Sequence, residues 1–473
     1  MKKFVSTYLA AALIIAATAV LSYSCNKSDD EAYTLQFASP ALYFDFGDTQ
    51  SVGVNMSKNV GKLTVSTKPD GWSVNYNQTT ATLTVTAPKS LDATEDEDGN
   101  KVTPVETGTV VLRGSVGDKS VSASLYVALG EIVDLTSSAN SYVLTQPSTA
   151  YSIPATRPDG SAVENIESTE VVWMTARYMI RYTEYKNGKI TFSTNAENDE
   201  LTEGNALIAA CDKDGNRLWC WHLWVTDEDP EANAVELNGH TFMGCNLGAF
   251  GNETGNDGNI LDAYGLYYQW GRPSPFPRPR YFDCADSSNQ VMYNGTMSAA
   301  TMKVEECDET NNLMMTAITD PLVFVTGLTA PWVGASEPWS DTQKTNYDPC
   351  PAGWRVPSSN VFDGLAIVAE EMQEEMTTLQ KNYGWTLSDG SQSAFFFAGG
   401  RRSYLNGTVI NMNTQETPQP WEGFYWTSSL DTSRQTATGL FFDLNTEDAT
   451  QSRLLTGRSL QLSNGLQIRC VRE

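Results

Sequence analysis

Hydrophobic and polar positions change rhythm several times along this chain, and each change marks an element or a boundary. Behind Lys2 and Lys3 runs an apolar segment, Tyr8-Leu-Ala-Ala-Ala-Leu-Ile-Ile-Ala-Ala-Thr-Ala-Val-Leu21, closed by Ser22-Tyr23-Ser24-Cys25. It is shorter than the roughly 20 apolar residues of a spanning helix. A charged start, an apolar middle and small residues at the end predict a cleaved export signal over 1–24. From 35 to 130 the pattern is short β-branched runs separated by turn residues: Ala41-Leu-Tyr-Phe-Asp-Phe46, Lys62-Leu-Thr-Val-Ser66, Gly71-Trp-Ser-Val-Asn75, Thr82-Leu-Thr-Val-Thr86, Gly108-Thr-Val-Val-Leu112 and Ser122-Ala-Ser-Leu-Tyr-Val127. Strands so spaced predict an all-β sandwich that needs no helix. The acidic run Glu95-Asp-Glu-Asp-Gly-Asn100 reads as a solvated hairpin tip, with a calcium loop as the alternative.

A second β module is expected over 131–230, with strands at Ser141-Tyr-Val-Leu144, Thr169-Glu-Val-Val-Trp-Met174, Lys189-Ile-Thr-Phe192, Asn205-Ala-Leu-Ile-Ala-Ala-Cys211 and Leu218-Trp-Cys-Trp-His-Leu-Trp-Val-Thr226. Asp212-Lys-Asp-Gly-Asn216 joins the last two as a tight hairpin, its Asp-Gly step supplying positive φ. Alternation along the final strand sets Trp219, Trp221, Leu223 and Val225 on one face and Cys220, His222 and Trp224 on the other. Both faces are bulky, so the strand reads as central, its indoles as core rather than a sugar platform, and His222 as packed and hydrogen-bonded. The acidic, proline-broken Asp227-Glu-Asp-Pro-Glu-Ala232 marks a boundary before 235–473.

In 235–473 short strands alternate with Gly, Pro and Trp, and one helix is expected. Pro357-Ser358-Ser359 offers caps, and Val361, Phe362, Leu365, Ala369, Met372, Met376 and Leu379 form a one-faced apolar stripe. Glu370, Glu371, Glu374 and Glu375 fall off the stripe and read as a solvated face rather than as acid/base or metal-binding pairs. The expected fold class is two N-terminal all-β immunoglobulin-like sandwiches followed by an α+β domain.

Composition narrows the chemistry. With 31 Lys+Arg against 57 Asp+Glu the formal charge is −26, which disfavours nucleic-acid phosphates and anionic headgroups. His222 and His240 are the two histidines, so Ser-His-Asp or Cys-His chemistry must pass through one of them. No CxxC pair, Cys/His cluster or HExxH motif occurs, so neither metal nor cofactor is expected. Setting Cys25 aside, the eight cysteines leave an odd number. Cys211 and Cys220 flank a hairpin and could cross-link, as could Cys284 and Cys307 around an irregular loop.

Ser24-Cys25 resembles the lipobox of bacterial lipoproteins in the relaxed form typical of Bacteroidota, with Leu21 four residues before the Cys. The resemblance implies lipid attachment at Cys25; the alternative is an ordinary signal peptide with a free thiol. Asn26-Lys-Ser-Asp-Asp-Glu31, in the acidic linker 25–34, is similar to the signal that sends such lipoproteins to the outer leaflet, implying a surface-exposed, outer-membrane anchor. Gly71-Trp72-Ser73-Val74 and Leu83-Thr-Val-Thr-Ala-Pro88 resemble the BACON domain, an immunoglobulin-like module of Bacteroidota surface proteins. Asn246-Leu-Gly-Ala249, Tyr264-Gly-Leu-Tyr-Tyr-Gln-Trp-Gly-Arg272, Asp348-Pro-Cys-Pro-Ala-Gly-Trp-Arg-Val-Pro357, Gly399-Gly-Arg401, Phe424-Tyr-Trp-Thr-Ser-Ser429 and Gly465-Leu-Gln-Ile-Arg-Cys-Val-Arg472 resemble, in that order, the Fibrobacter succinogenes major paralogous domain, whose fold is C-type-lectin-like. In that fold the helix start and the last strand lie side by side, which implies a Cys350–Cys470 disulfide. Cys245 stands where family members carry a basic residue, which makes it the odd cysteine.

The reading that follows is a cell-surface adhesin or glycan-binding lipoprotein, partnered by a glycan or a host or bacterial surface protein. Sugar sites need aromatic faces and planar polar groups. The candidates on loop-like segments are Trp332, Trp339, Arg401, Arg402, Tyr404, Asn406 and Trp421, each of which also reads as loop packing. The Glu-Pro-Asn and Trp-Asn-Asp triplets of calcium-dependent lectins are absent. The alternatives are a structural or tip subunit of a surface pilus that binds proteins by strand addition and a glycoside hydrolase, which needs two carboxylates about 5–10 Å apart. No acidic residue sits in a recognisable catalytic motif, so no enzyme is expected.

Overall fold

The computed structural model describes residues 33–95, 101–197, 200–250, 260–279, 291–308, 313–327, 338–368, 383–412, 421–431, 436–444 and 453–473. The export signal and Cys25 lie outside the described residues. Strand dominates those residues, with helix at Ile260–Tyr264, Leu313–Thr319, the 3-10 turn Ser359–Phe362 and the single residue Tyr383. None of the helices is long and apolar enough to cross a membrane. The chain divides into two compact units, Met1–Glu131 and Ile132–Glu473.

In the first unit the strands Leu35–Phe37, Thr49–Met56, Thr82–Thr86 and Ser73–Asn77 form one sheet, in that order, and Ala41–Phe44, Lys119–Leu129, Thr107–Val116 and Thr64–Thr67 form another. Val52, Val54, Leu83 and Val85 from the first meet Phe44, Val110, Leu112, Leu125 and Val127 from the second, with Trp72 buried among them. The indole ring stands edge-on to Phe44 at 5.2 Å and donates its N–H to the Val105 carbonyl at 2.8 Å. Thr49–Met56 is a strand that periodicity does not announce: only Val52 and Val54 turn inward along its eight residues. Thr94–Glu95 pairs with Lys101–Val102 at the base of the acidic hairpin; its tip at 96–100 lies outside the described residues.

The second unit begins with another pair of sheets. One is ordered Val133–Asp134, Ala150–Pro154, Lys189–Thr194, Ile180–Lys186. The other runs Ser141–Leu144, Arg217–Val225, Gly204–Cys211, Ser168–Met174 and continues into Met292–Tyr293 and Ala299–Ala300, which come from beyond residue 235. The acidic linker at 227–232 therefore does not separate two bodies. Arg217–Val225 is central, as its two bulky faces predict: Trp219, Trp221, Leu223 and Val225 fill the core between the sheets. Cys220 and Trp224 join a second core with Met243, Leu247, Trp270, Phe424 and Phe441. Polar side chains seal the junction, with Asn205 Nδ2 donating to the Gly248 carbonyl at 2.9 Å and Asn140 Nδ2 to that of Asp348 at 2.8 Å.

Cys211 and Cys220 are not bridged. The register sets Cys220 opposite Ala209 and Cys211 opposite Arg217, so the two cysteines are diagonal rather than directly facing neighbours, beyond the Cβ separation of about 4 Å that a disulfide needs. Cys307 is likewise unbridged, and its suggested partner Cys284 lies outside the described residues.

From Val235 onward the opening hairpin, Val235–Leu237 with His240–Phe242, meets the last strand. His240–Phe242 pairs with Val471–Arg472, which pairs in turn with Trp354–Arg355. This sets Cys350 beside Cys470, and the two form a disulfide with Cα atoms 6.1 Å apart. The long helix expected from Val361 does not start there. Ser359–Phe362 is a single 3-10 turn, Gly364 turns the chain at φ +79°, and Ala366–Ile367 is already a strand against Gly384–Ser388. Val361, Phe362 and Leu365 are buried as the stripe requires, but against Trp385 and Phe396 at a chain reversal. The rest of the stripe, from Ala369, lies outside the described residues.

Candidate functional site

Most of the recurrent motif residues of 235–473 fold inward. Arg272 is fully buried and donates to the carbonyls of Val323 at 2.7 Å and Pro321 at 2.8 Å. Arg469 donates to those of Met243, Gly244 and Phe395 at 2.6–2.9 Å. Gln269 holds Val325 and Ser463, and the indoles of Trp270 and Trp426 reach the carbonyls of Thr427 and Tyr268. A loop-rich domain leaves many carbonyls outside any ladder. Buried polar side chains supply the missing donors, and orphaned backbone groups are thereby avoided. Burial pulls the Arg272 guanidinium down to about 9.

Two sequence candidates belong to this interior. Trp339 has no exposed surface; it packs on Trp270 at 5.5 Å and donates to the Tyr347 carbonyl at 2.9 Å. Arg402 is fully buried and donates to the carbonyls of Gly407 at 2.8 Å and Pro277 at 2.7 Å. Both are corrected from ligand candidates to packing residues. Trp332 lies outside the described residues.

Arg401, one residue before Arg402, faces the other way and is half-buried. Its Nη1 donates to Asn464 Oδ1 at 2.9 Å, and its guanidinium lies 5.0 Å from the centre of the Phe424 ring. Asn464 Oδ1 also accepts the Tyr404 backbone N–H at 3.2 Å, tying the turn at 403–408 to Arg401. At that turn Asn406 is exposed and its amide oxygen accepts from Thr408 N–H and Oγ1, so it serves the turn. The half-buried Tyr404 remains beside Arg401.

Sequence reasoning did not single out the group that completes this surface. Arg458, in the strand Leu454–Gln461, lays its guanidinium 3.9 Å from the Phe441 ring centre and 5.5 Å from that of Phe424. Glu422, 9% exposed, lies nearby; it accepts from Asn411 Nδ2, and burial raises its carboxyl above the usual carboxylate value. Trp421 precedes Glu422 on the same strand, so it turns to the opposite face and packs against the core around Trp385 and Phe396. The structure thus brings together Arg401, Tyr404, Glu422, Arg458 and Asn464, and sets Trp421 apart. Nothing in the alternation of Leu454–Gln461 distinguishes Arg458 from a solvated strand position; only the ring beneath it does.

Two other places were open to chemistry. A cleft of about 450 Å³ lies among Asp134, Tyr142, Asp229, Glu231, Met243 and Trp354. Its acids are engaged: Asp134 with Lys189 and Ser152, Glu231 with Arg472. His222 pairs Nδ1 with Ser141 Oγ at 3.0 Å and Nε2 with Asn205 Oδ1 at 2.8 Å. The arrangement resembles a catalytic dyad, but the imidazole is fully buried and burial drives it down to about 3. It is a neutral packing residue closed to substrate.

No family model and no curated protein matches the chain. Among solved structures, an endo-fucoidan hydrolase of glycoside hydrolase family 107 is similar at 11% identity and a TM-score of 0.15, over 44% of this chain and 30% of its own. A chimeric titin Z1Z2 gives 13%, 0.14, 41% and 97%. The Bacteroides ovatus surface protein SGBP-B, solved with a mixed-linkage heptasaccharide, gives 12%, 0.12, 48% and 51%. Likeness at this level carries no argument, and the fold rests on the strand pairings above.

Proposed function

We propose that this chain is a lipid-anchored surface protein of a Bacteroidota bacterium that binds glycans through the 235–473 part of its second unit. One observation carries the reading. Arg401, Tyr404, Glu422, Arg458 and Asn464 gather at the rim of a buried aromatic core, and planar donors and acceptors beside an aromatic face are what sugar hydroxyls and C–H groups require. The anchor at Cys25 rests on the lipobox-like sequence, and the BACON-like reading of 35–130 is supported by two sheets closing on Trp72. The C-type-lectin-like reading of 235–473 is supported by its opening hairpin pairing, through His240–Phe242, with the last strand beside the Cys350–Cys470 bridge.

Probing a glycan array with the whole chain tests the proposal. Retention on a defined set of glycans is expected; capture of protein partners with no glycan retained would favour a pilus subunit and contradict it.

A further inference from the structure

The Arg401–Arg458 pair has a property that general sugar binding does not require. Among the described residues Arg458 makes no hydrogen bond and no ion pair, although its Nη1 is buried. Arg272 and Arg278 leave an Nε unmatched, as Arg401 does, but their Nη groups are supplied. Arg272, Arg402 and Arg469 each reach two or more carbonyls, Arg453 holds Asp443 at 2.6 Å, and Arg217 holds Glu170 at 2.6 Å. Leaving a buried cationic donor unmatched costs more than leaving a neutral one. Two guanidiniums over one ring, Phe424, also repel each other.

Among the described residues, Glu422 is bonded to Asn411 and its cross-strand partner Asp443 is held by Arg453, and neither forms an ion pair with Arg401 or Arg458. No carboxylate among the described residues is hydrogen-bonded to Arg401 or Arg458. The rings lie within cation–π distance of both guanidiniums, and the Arg401–Asn464 bond holds one of them, so less side-chain freedom remains to be lost on binding.

We infer that Arg401 and Arg458 together receive the acidic group of a charged sugar, a carboxylate or a sulfate, as charge-assisted hydrogen-bond donors. Tyr404 lies against the sugar ring, and Glu422 and Asn464 face its hydroxyls. The inference rests on the glycan-binding reading and specifies its ligand class.

Calorimetric titration of the whole chain with three probes tests it: trigalacturonate, its fully methyl-esterified form, and a sulfated neutral galactan tetrasaccharide. Binding of trigalacturonate but not the sulfated probe assigns a carboxylate, the reverse assigns a sulfate, and binding of both assigns the shared chemistry. Arg401→Ala and Arg458→Ala should each weaken the bound probe at least tenfold, and Arg458→Lys less than Arg458→Ala, with melting temperatures within a few degrees of the parent. Equal affinity for the methyl ester and trigalacturonate, or an Arg458→Ala variant that binds like the parent, would overturn the inference while leaving glycan binding intact. Failure of every probe, together with a blank glycan array, would overturn both.

Discussion

Trp221 and Trp224 stand three residues apart in one strand and give their indole N–H groups to different cores, Trp221 to the Thr156 carbonyl at 3.1 Å and Trp224 to that of Ala249 at 2.8 Å. The strand between them has no solvent face. Both β-sheet faces must be covered for it to be stable, so the residues after 235 are part of what completes the module before 230.

Trp224→Ala should therefore destabilise the whole of 132–473. Removal of a buried indole costs about 3–5 kcal/mol, and calorimetry should show a single transition for this unit moved to lower temperature while that of 33–131 stays in place. A separate early transition for 235–473 alone would contradict the shared core.

The sequence made the strands of the first sandwich legible because their apolar residues alternate. The two-faced strand Arg217–Val225 was also legible as central, yet the acidic linker after it looked like a boundary, since charge and proline mark exposure but not which surfaces a neighbour covers. Thr49–Met56 was silent because most of its residues face outward. At the start of the helix stripe, Val361, Phe362 and Leu365 keep the expected burial but sit at a chain reversal, because tertiary packing can bury apolar residues at helical spacing without a helix. At the site, Arg401 and Arg402 are indistinguishable in sequence, and one residue of alternation separates a rim donor from a buried staple. Trp339 looked exposed because Pro and Ser surround it, but Trp270 buries it.

Cys350–Cys470 closes a loop of 120 residues, and loop-closure entropy for that length is worth about 4–5 kcal/mol. Denaturant unfolding with and without reductant, or of Cys350→Ser, should show a loss of this order. In the native state iodoacetamide should spare Cys211 and Cys220, whose thiols are buried and pushed up to about 11 and about 12, and modify them only on unfolding.

His222 sets a pH dependence. Its folded value of about 3 lies below the ordinary 6.5, so as pH falls the unfolded chain takes the proton first. Stability is whole above 6.5 and declines below it by about 1.4 kcal/mol per unit until the folded value is reached. Urea unfolding at pH 7 and pH 5 should show the parent losing about 2 kcal/mol more than His222→Gln. Equal losses would mean that the ring is protonated in the native state.

Lys344 caps the loop that carries Cys350, donating to the carbonyls of Cys350 at 2.9 Å, Pro351 at 2.8 Å and Trp354, and standing 3.8 Å from the buried Asp348. Lys344→Met leaves Asp348 uncompensated and should cost about 3–5 kcal/mol. Adding Asp348→Asn should cost less on that background than in the parent. Additive losses in a double-mutant cycle would show that the two do not act as a pair.

The central claim is that glycans are held at the rim formed by Arg401, Tyr404 and Arg458, and not by the motif residues that fold inward. The most direct measurement is glycan-array binding of the parent beside an Arg401→Ala/Tyr404→Ala/Arg458→Ala variant of matched melting temperature. The account predicts that the parent's glycan signal collapses in the variant; an unchanged set of retained glycans would contradict it.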